Sequence, residues 1–137
     1  MNTSKKLIIK TGKAREIIDI TDKVNALLKT HPTKNGLCHL FLTHTTAGLT
    51  TAYLNPESEL DLIGAFDVPV PRFNEVQSKH EHTHFISHLP DHIIASFLGA
   101  SLAIPIKRGK LLLGDLQRVV LVELNGPKER EIIMHCS

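Results

Sequence analysis

The last third of the chain is a succession of short apolar runs cut by turn residues. That punctuation limits the fold more than any other feature of the sequence. Residues 102–106 and 111–113 flank Lys107-Arg108-Gly109, and residues 119–124 and 132–134 flank Asn125-Gly126-Pro127. Runs this short, stopped by glycine and proline, read as strands joined by turns. Upstream, residues 7–9 read as a strand and residues 17–20 as its expected hairpin partner. Thr21 is placed to cap a helix, with Asp22 suited to the positive end of the helix dipole. Val24, Leu27 and Leu28 then recur at helical spacing until His31-Pro32 stops them. Residues 37–42 read as a buried strand leading into Thr43-His44-Thr45-Thr46-Ala47-Gly48.

Pro56 suits the first position of a second helix, with Leu60, Ile63 and Phe66 as its apolar side. Residues 67–88 carry Pro69, Pro71 and many polar groups and read as a long loop, of a length at which loops are usually functional or disordered. Pro90 starts a third helix, with Ile93, Ile94, Phe97 and Leu98 as its expected buried side and Gly99 as its C-cap. The expected architecture is a single α+β domain over residues 1–137, sheet-rich in its C-terminal half.

Composition narrows the function. With 42% apolar and 22% charged residues, the chain is not a charged disordered segment. No apolar run approaches the ~18 residues of a membrane span. The run after Lys5-Lys6 is too short for a secretory signal, so the cytoplasm is the expected compartment. Cys38 and Cys136 then read as reduced thiols. A net charge of +2, with no Lys/Arg cluster, gives no reason to expect nucleic acid.

Histidine is the unusual residue: there are nine, five of them between 80 and 92. His44 ends a buried strand and enters a loop of small hydroxyl residues, where rigid scaffolds present functional groups. Thr45 and Thr46 beside it can bind an anion through hydroxyls or amides. His80, His82 and His84 share one face of an extended segment, and neutral imidazoles suit zinc and its neighbours. His92 falls in the first turn of the third helix, with Asp91 available to orient its second nitrogen. Asp115, Gln117, Arg118, Lys128 and Arg130 put polar groups beside one sheet end, where cations would hold a phosphate or carboxylate.

Together these segments resemble the YjbQ-like family, named after secondary thiamine-phosphate synthase activity. Ser101 through Val119, with Gly109, Gly114 and Gln117, follows its signature of Ser, spaced aliphatics, Gly, then Gly-Thr-Trp-Gln and an aliphatic residue. His44-Thr45-Thr46-Ala47 resembles its His-Thr-Ser/Thr-Ala segment, and Asp91-His92-Ile93 with Ala95-Ser96 and Leu98-Gly99 its Ala-His-Ile-Lys-Ala-Ser-Leu-Leu-Gly helix. The chain departs from the pattern at Asp115-Leu116, where the family has Thr-Trp, and at Ala52-Tyr53, where it has Asn-Glu.

The resemblance implies a bifurcated β-sandwich and a homotrimer with sites near subunit boundaries. It implies a divalent metal, zinc by ligand type, held by His44, His92 and a third histidine matched best by His82, with His80 and His84 as substitutes. The expected catalytic set is His44, Thr45, Asp115 and Gln117, with Thr46, Arg118 and Arg130 on a small anionic or phosphorylated substrate. The implied reaction is a thiamine-phosphate synthase-like transfer. A zinc-dependent hydrolase and a non-catalytic metal or small-molecule binder are the alternatives.

Overall fold

The computed structural model describes residues 4–55 and 89–137. The helix expected after Pro56, the loop at 67–88 and His80, His82, His84 and His88 lie outside those residues. Among the described residues, eight strands form two antiparallel sheets. The larger runs β1 (Ser4–Lys10), β8 (Glu129–Cys136), β3 (Gly36–Leu42), β5 (Ser101–Lys107), β6 (Lys110–Leu111). The smaller runs β2 (Glu16–Asp19), β7 (Arg118–Glu123), β4 (Ala47–Ala52). Helices α1 (Thr21–Lys29) and α2 (Leu89–Leu98) complete the described elements. No helix among them is long and apolar enough to cross a membrane.

Strand alternation explains the layers. Ile9, Leu40, Leu42, Ile104, Ile132 and Met134 turn from the larger sheet onto Leu49, Val119 and Leu121 of the smaller one, and Val24 and Leu28 of α1 join the same core. The other face of β7 carries Val120 and Val122, which pack with Ile17, Leu124 and the α2 residues Ile94 and Ala95. β7 is thus buried on both faces, which accounts for its unbroken apolar sequence.

The hairpin expected between the first two strands does not form. β1 pairs with β8, and β2 pairs with β7 in the other sheet. Thr21 begins α1 but does not cap it. Its hydroxyl accepts the Val119 N–H at 2.8 Å, so the side chain ties the helix to β7. The stretch after His44, read as loop, becomes β4 from Ala47 onward. α2 buries Asp91, Ile94 and Ala95, while Phe97, expected inside, is 80% exposed. The winning face follows the i, i+3, i+4 rows from Asp91, which is held by Arg15.

Candidate functional site

Loop residues 43–46 connect β3 to β4, passing from one sheet to the other. Two consecutive residues of β8 pin them. Glu131 takes one end: Thr43 donates its N–H to the Glu131 carbonyl at 3.2 Å, and the Glu131 N–H donates to His44 Nε2 at 2.8 Å. Arg130 takes the other end, donating through Nη2 to Thr46 Oγ1 at 2.8 Å and to the Thr46 carbonyl at 3.1 Å.

Arg130 is buried, and so is its counter-charge Glu123. Arg130 Nε donates to Glu123 Oε2 at 2.7 Å, and Nη2 donates to Oε1. The carboxylate also accepts Thr11 Oγ1 at 2.9 Å and the Asn125 N–H at 3.0 Å. Burial pushes the Glu123 carboxyl up, but the hydrogen bonds from Arg130, Asn125 and Thr11 outweigh it and hold it below the ordinary glutamate value. Thr11 also fixes the Lys128 backbone, donating its N–H to the Lys128 carbonyl at 2.9 Å and accepting the Lys128 N–H on Oγ1 at 2.8 Å.

These contacts frame a cavity of about 410 Å³ lined by Thr43, His44, Thr45, Thr46, His92, Asn125, Lys128 and Arg130. A second cavity of about 310 Å³ adjoins it, sharing His44, Thr45 and His92 and otherwise walled by Ala47, Ala95, Ser96, Gly99 and Ala100. Polar and cationic residues line the first chamber. The second is walled mostly by small apolar groups. α2 approaches β4 closely enough to form it because residue 48 is glycine: a Cβ there would sit 2.7 Å from Leu98 Cβ. Gly99, at φ +92°, then turns the chain out of α2 into β5.

His44 and His92 therefore converge on one space, as their family match implies. The fit of a cation is a separate question. A backbone N–H can only donate, so His44 Nε2 must keep its lone pair, and a neutral ring then carries its proton on Nδ1. Burial and the nearby Arg130 charge hold His44 below the ordinary histidine value, partly opposed by Glu131 and Glu123, so the neutral ring is the stable form at pH 7. A metal ligand needs a free lone pair, and a neutral ring whose Nε2 accepts from Glu131 has none left to offer. Among the described residues no group of three His, Cys, Asp or Glu side chains is placed to hold an ion. The expected third ligand, His82, lies outside the described residues, and what speaks against a cation here is the His44 ring itself.

Of the other expected site residues, Thr45 and Thr46 line the cationic chamber. Arg130 lines it too, with its Nε and Nη2 donating to Glu123 and Thr46. Asp115, Gln117 and Arg118 do not join His44. The register explains why: β4 and β7 pair Ala47 with Glu123 and Ala52 with Arg118, so Arg118 lies at the far end of the smaller sheet. A six-residue strand spans roughly 17 Å. Arg118 Nε donates to Asp19 Oδ2 at 2.7 Å and its Nη2 to Asp22 Oδ1 at 3.2 Å. Gln117 donates to Thr51 Oγ1 at 3.1 Å and accepts the Gly114 N–H at 3.1 Å. Gln117 and Leu116 line a separate cavity with Thr51, Ala52 and Tyr53. The two places where the sequence departs from the family pattern thus meet in one cavity, apart from His44.

Asn125 is a lining residue that sequence reading treats as part of a turn. The Asn-Gly-Pro signal marks the turn correctly. That this turn carries the chain from one sheet to the other, beside His44, depends on pairings remote in sequence.

A UPF0047 protein of Mycobacterium bovis is 34% identical over 119 residues, 87% of this chain and 88% of its own length. The UPF0047 protein YugU of Bacillus subtilis is 33% identical and covers 92% of each chain. The crystal structure of a YjbQ/UPF0047 protein from Clostridium acetobutylicum superposes with a TM-score of 0.83 at 28% identity, covering 97% of this chain and 99% of its own. The model of the UPF0047 protein YjbQ-like family matches residues 5–137, and the chain belongs to that family.

Proposed function

We propose that the chain is a transferase acting on a small phosphorylated substrate bound across the two adjoining cavities. The observation that carries this reading is the shared wall: His44, Thr45 and His92 border both a cationic chamber and a mostly apolar one. A phosphate or pyrophosphate fits the side of Lys128, Asn125 and Thr45. The uncharged part of the substrate fits against Ala47, Ala95 and Ala100. The bond joining the two parts then falls beside His44. If that bond breaks, charge grows on the leaving phosphate oxygens, where Lys128 and an N–H from His44 stabilise it. Holding the acceptor in the apolar chamber supplies proximity. A thiamine-phosphate synthase-like transfer has this form, since pyrophosphate leaves a ring-bearing carbon and a second ring takes its place. The cytoplasm is the compartment that suits such a substrate.

Calorimetric titration with inorganic pyrophosphate tests the binding step. Lys128→Met should weaken affinity about 10-fold or more, the worth of one charge-assisted contact. Unchanged affinity in that variant would remove the cationic chamber from the proposal. Complementation of a thiamine-requiring strain tests the reaction. Rescue by the wild type and not by His44→Ala supports the transfer, and pyrophosphate binding without rescue points to hydrolysis or simple binding. The homotrimer implied by the family belongs to the same proposal. Sedimentation should give three times the 15.2 kDa of one chain.

A further inference from the structure

We infer that His44 is a fixed N–H donor to an oxygen of the bound group, and not a ligand for a cation. The inference deepens the proposed function and rests on its anion-binding half. The ring has two nitrogens. One faces the Glu131 N–H at 2.8 Å, and that amide has nothing to accept with. The proton of the neutral ring is therefore on Nδ1, the nitrogen left to serve the cavity. A doubly protonated ring would set N–H against N–H. A metal on Nδ1 would require either an imidazolate or rupture of the Glu131 contact.

The contact is held from several sides. Residue 131 is the third of the eight residues of β8, paired with Ile8 of β1. Its carbonyl accepts the Thr43 N–H, and the Thr43 hydroxyl lies 3.3 Å from both that carbonyl and the Glu131 carboxylate. The next residue back, Arg130, ties Thr46. The ring cannot turn its lone pair outward without giving up a backbone hydrogen bond inside this pinned loop. Three of the groups lining the cavity are donors suited to an oxyanion: His44 Nδ1–H, the Thr45 hydroxyl and the Lys128 ammonium, with His92 and Asn125 beside them. An oxyanion satisfies such a set and a divalent cation does not.

The test is nitrogen NMR of the full chain with ¹⁵N-labelled histidine at pH 7, His44 being identified by the signals lost in His44→Asn. The expected pattern is a protonated Nδ1 and an unprotonated Nε2. Inorganic phosphate should move the Nδ1–H signal, and zinc should leave both nitrogens unmoved. An Nε2–H tautomer, or zinc binding that shifts the His44 nitrogens, would overturn the assignment. Asparagine keeps an N–H donor near the position of Nδ1, so His44→Asn should bind phosphate within about 3-fold of wild type. His44→Leu should lose about 10-fold or more. Equal losses in both variants would also overturn it. If phosphate moves no signal in the wild type, the anion-binding reading fails and the inferred donor role fails with it. The tautomer and zinc results still decide, separately, whether the ring is a cation ligand.

Discussion

Glu123 and Arg130 form the buried ion pair on which the loop bearing His44 hangs. A buried pair is costly to assemble and more costly to break, because the surviving charge has no water to turn to. Glu123→Gln leaves Arg130 charged and its Nε and Nη2 donors poorly matched. Urea denaturation at pH 7 should show a loss of about 3–5 kcal/mol. A loss under ~1 kcal/mol would mean that Thr46 and water suffice for the guanidinium. The same carboxylate gives a pH dependence of fixed sign. Its folded value lies below the ordinary one, so in acid the unfolded chain binds more protons. The contribution is complete above the unfolded glutamate value, about 4.3, and is lost as pH falls through the lower folded value. Asp19, held low by Arg118 and Thr21 against its partial burial, acts in the same direction. Stability measured between pH 5 and 2 should fall less steeply in Glu123→Gln than in the wild type.

At the scale of elements, the site is made by the seating of α2 on β4. Gly48 permits it, and the van der Waals overlap of a Cβ with Leu98 shows how little room is left. Gly48→Ala should cost about 1–3 kcal/mol in unfolding experiments, the usual penalty of overpacking. The closest atom is Leu98 Cβ, which alanine keeps, and the Gly99 carbonyl oxygen lies at 3.3 Å, so Leu98→Ala in the same molecule should recover little of the loss and a double-mutant cycle should read close to additive. Substantial recovery would show that Leu98 Cδ1, at 3.0 Å, is the main obstacle. The same two elements show where sequence reading succeeds and fails. The helix from residue 90, with its glycine C-cap, is legible because capping and periodicity are local. β4 is not, because Ala47 and Gly48 have little intrinsic strand preference and are strand by virtue of pairing with β7. Phe97 is misread as buried because local hydrophobicity cannot foresee that Asp91, tied to Arg15, fixes the rotation of the helix.

Taken as a whole, the molecule sends consecutive strands to different sheets, β5 and β6 excepted. β1 and β2 part this way, and so do β7 and β8. Turn signals at residues 11–15 and 125–127 announce a reversal without saying which partner the strand will find, which is why the early hairpin and the grouping of Asp115 and Arg118 with Arg130 were natural readings of the sequence. The histidine convergence was legible through the matched motifs; the protonation pattern of His44 was not, since it depends on an amide 87 residues away. β8 is the element that closes the arrangement. It lies between β1 and β3, and its register sets Cys136 opposite Cys38. Both thiols are buried, and burial beside Cys136 pushes Cys38 up to about 12, so reactive thiolate is scarce in the folded state. Neither cysteine should react with a disulfide reagent at pH 8 while the sheets hold, and both should react at the rate of unfolding once denaturant is added. Because the two share one strand pair, they should become reactive together. Modification of Cys136 well ahead of Cys38 would show that the end of β8 opens independently, and the sheet would then not be the cooperative unit that its central strand makes it.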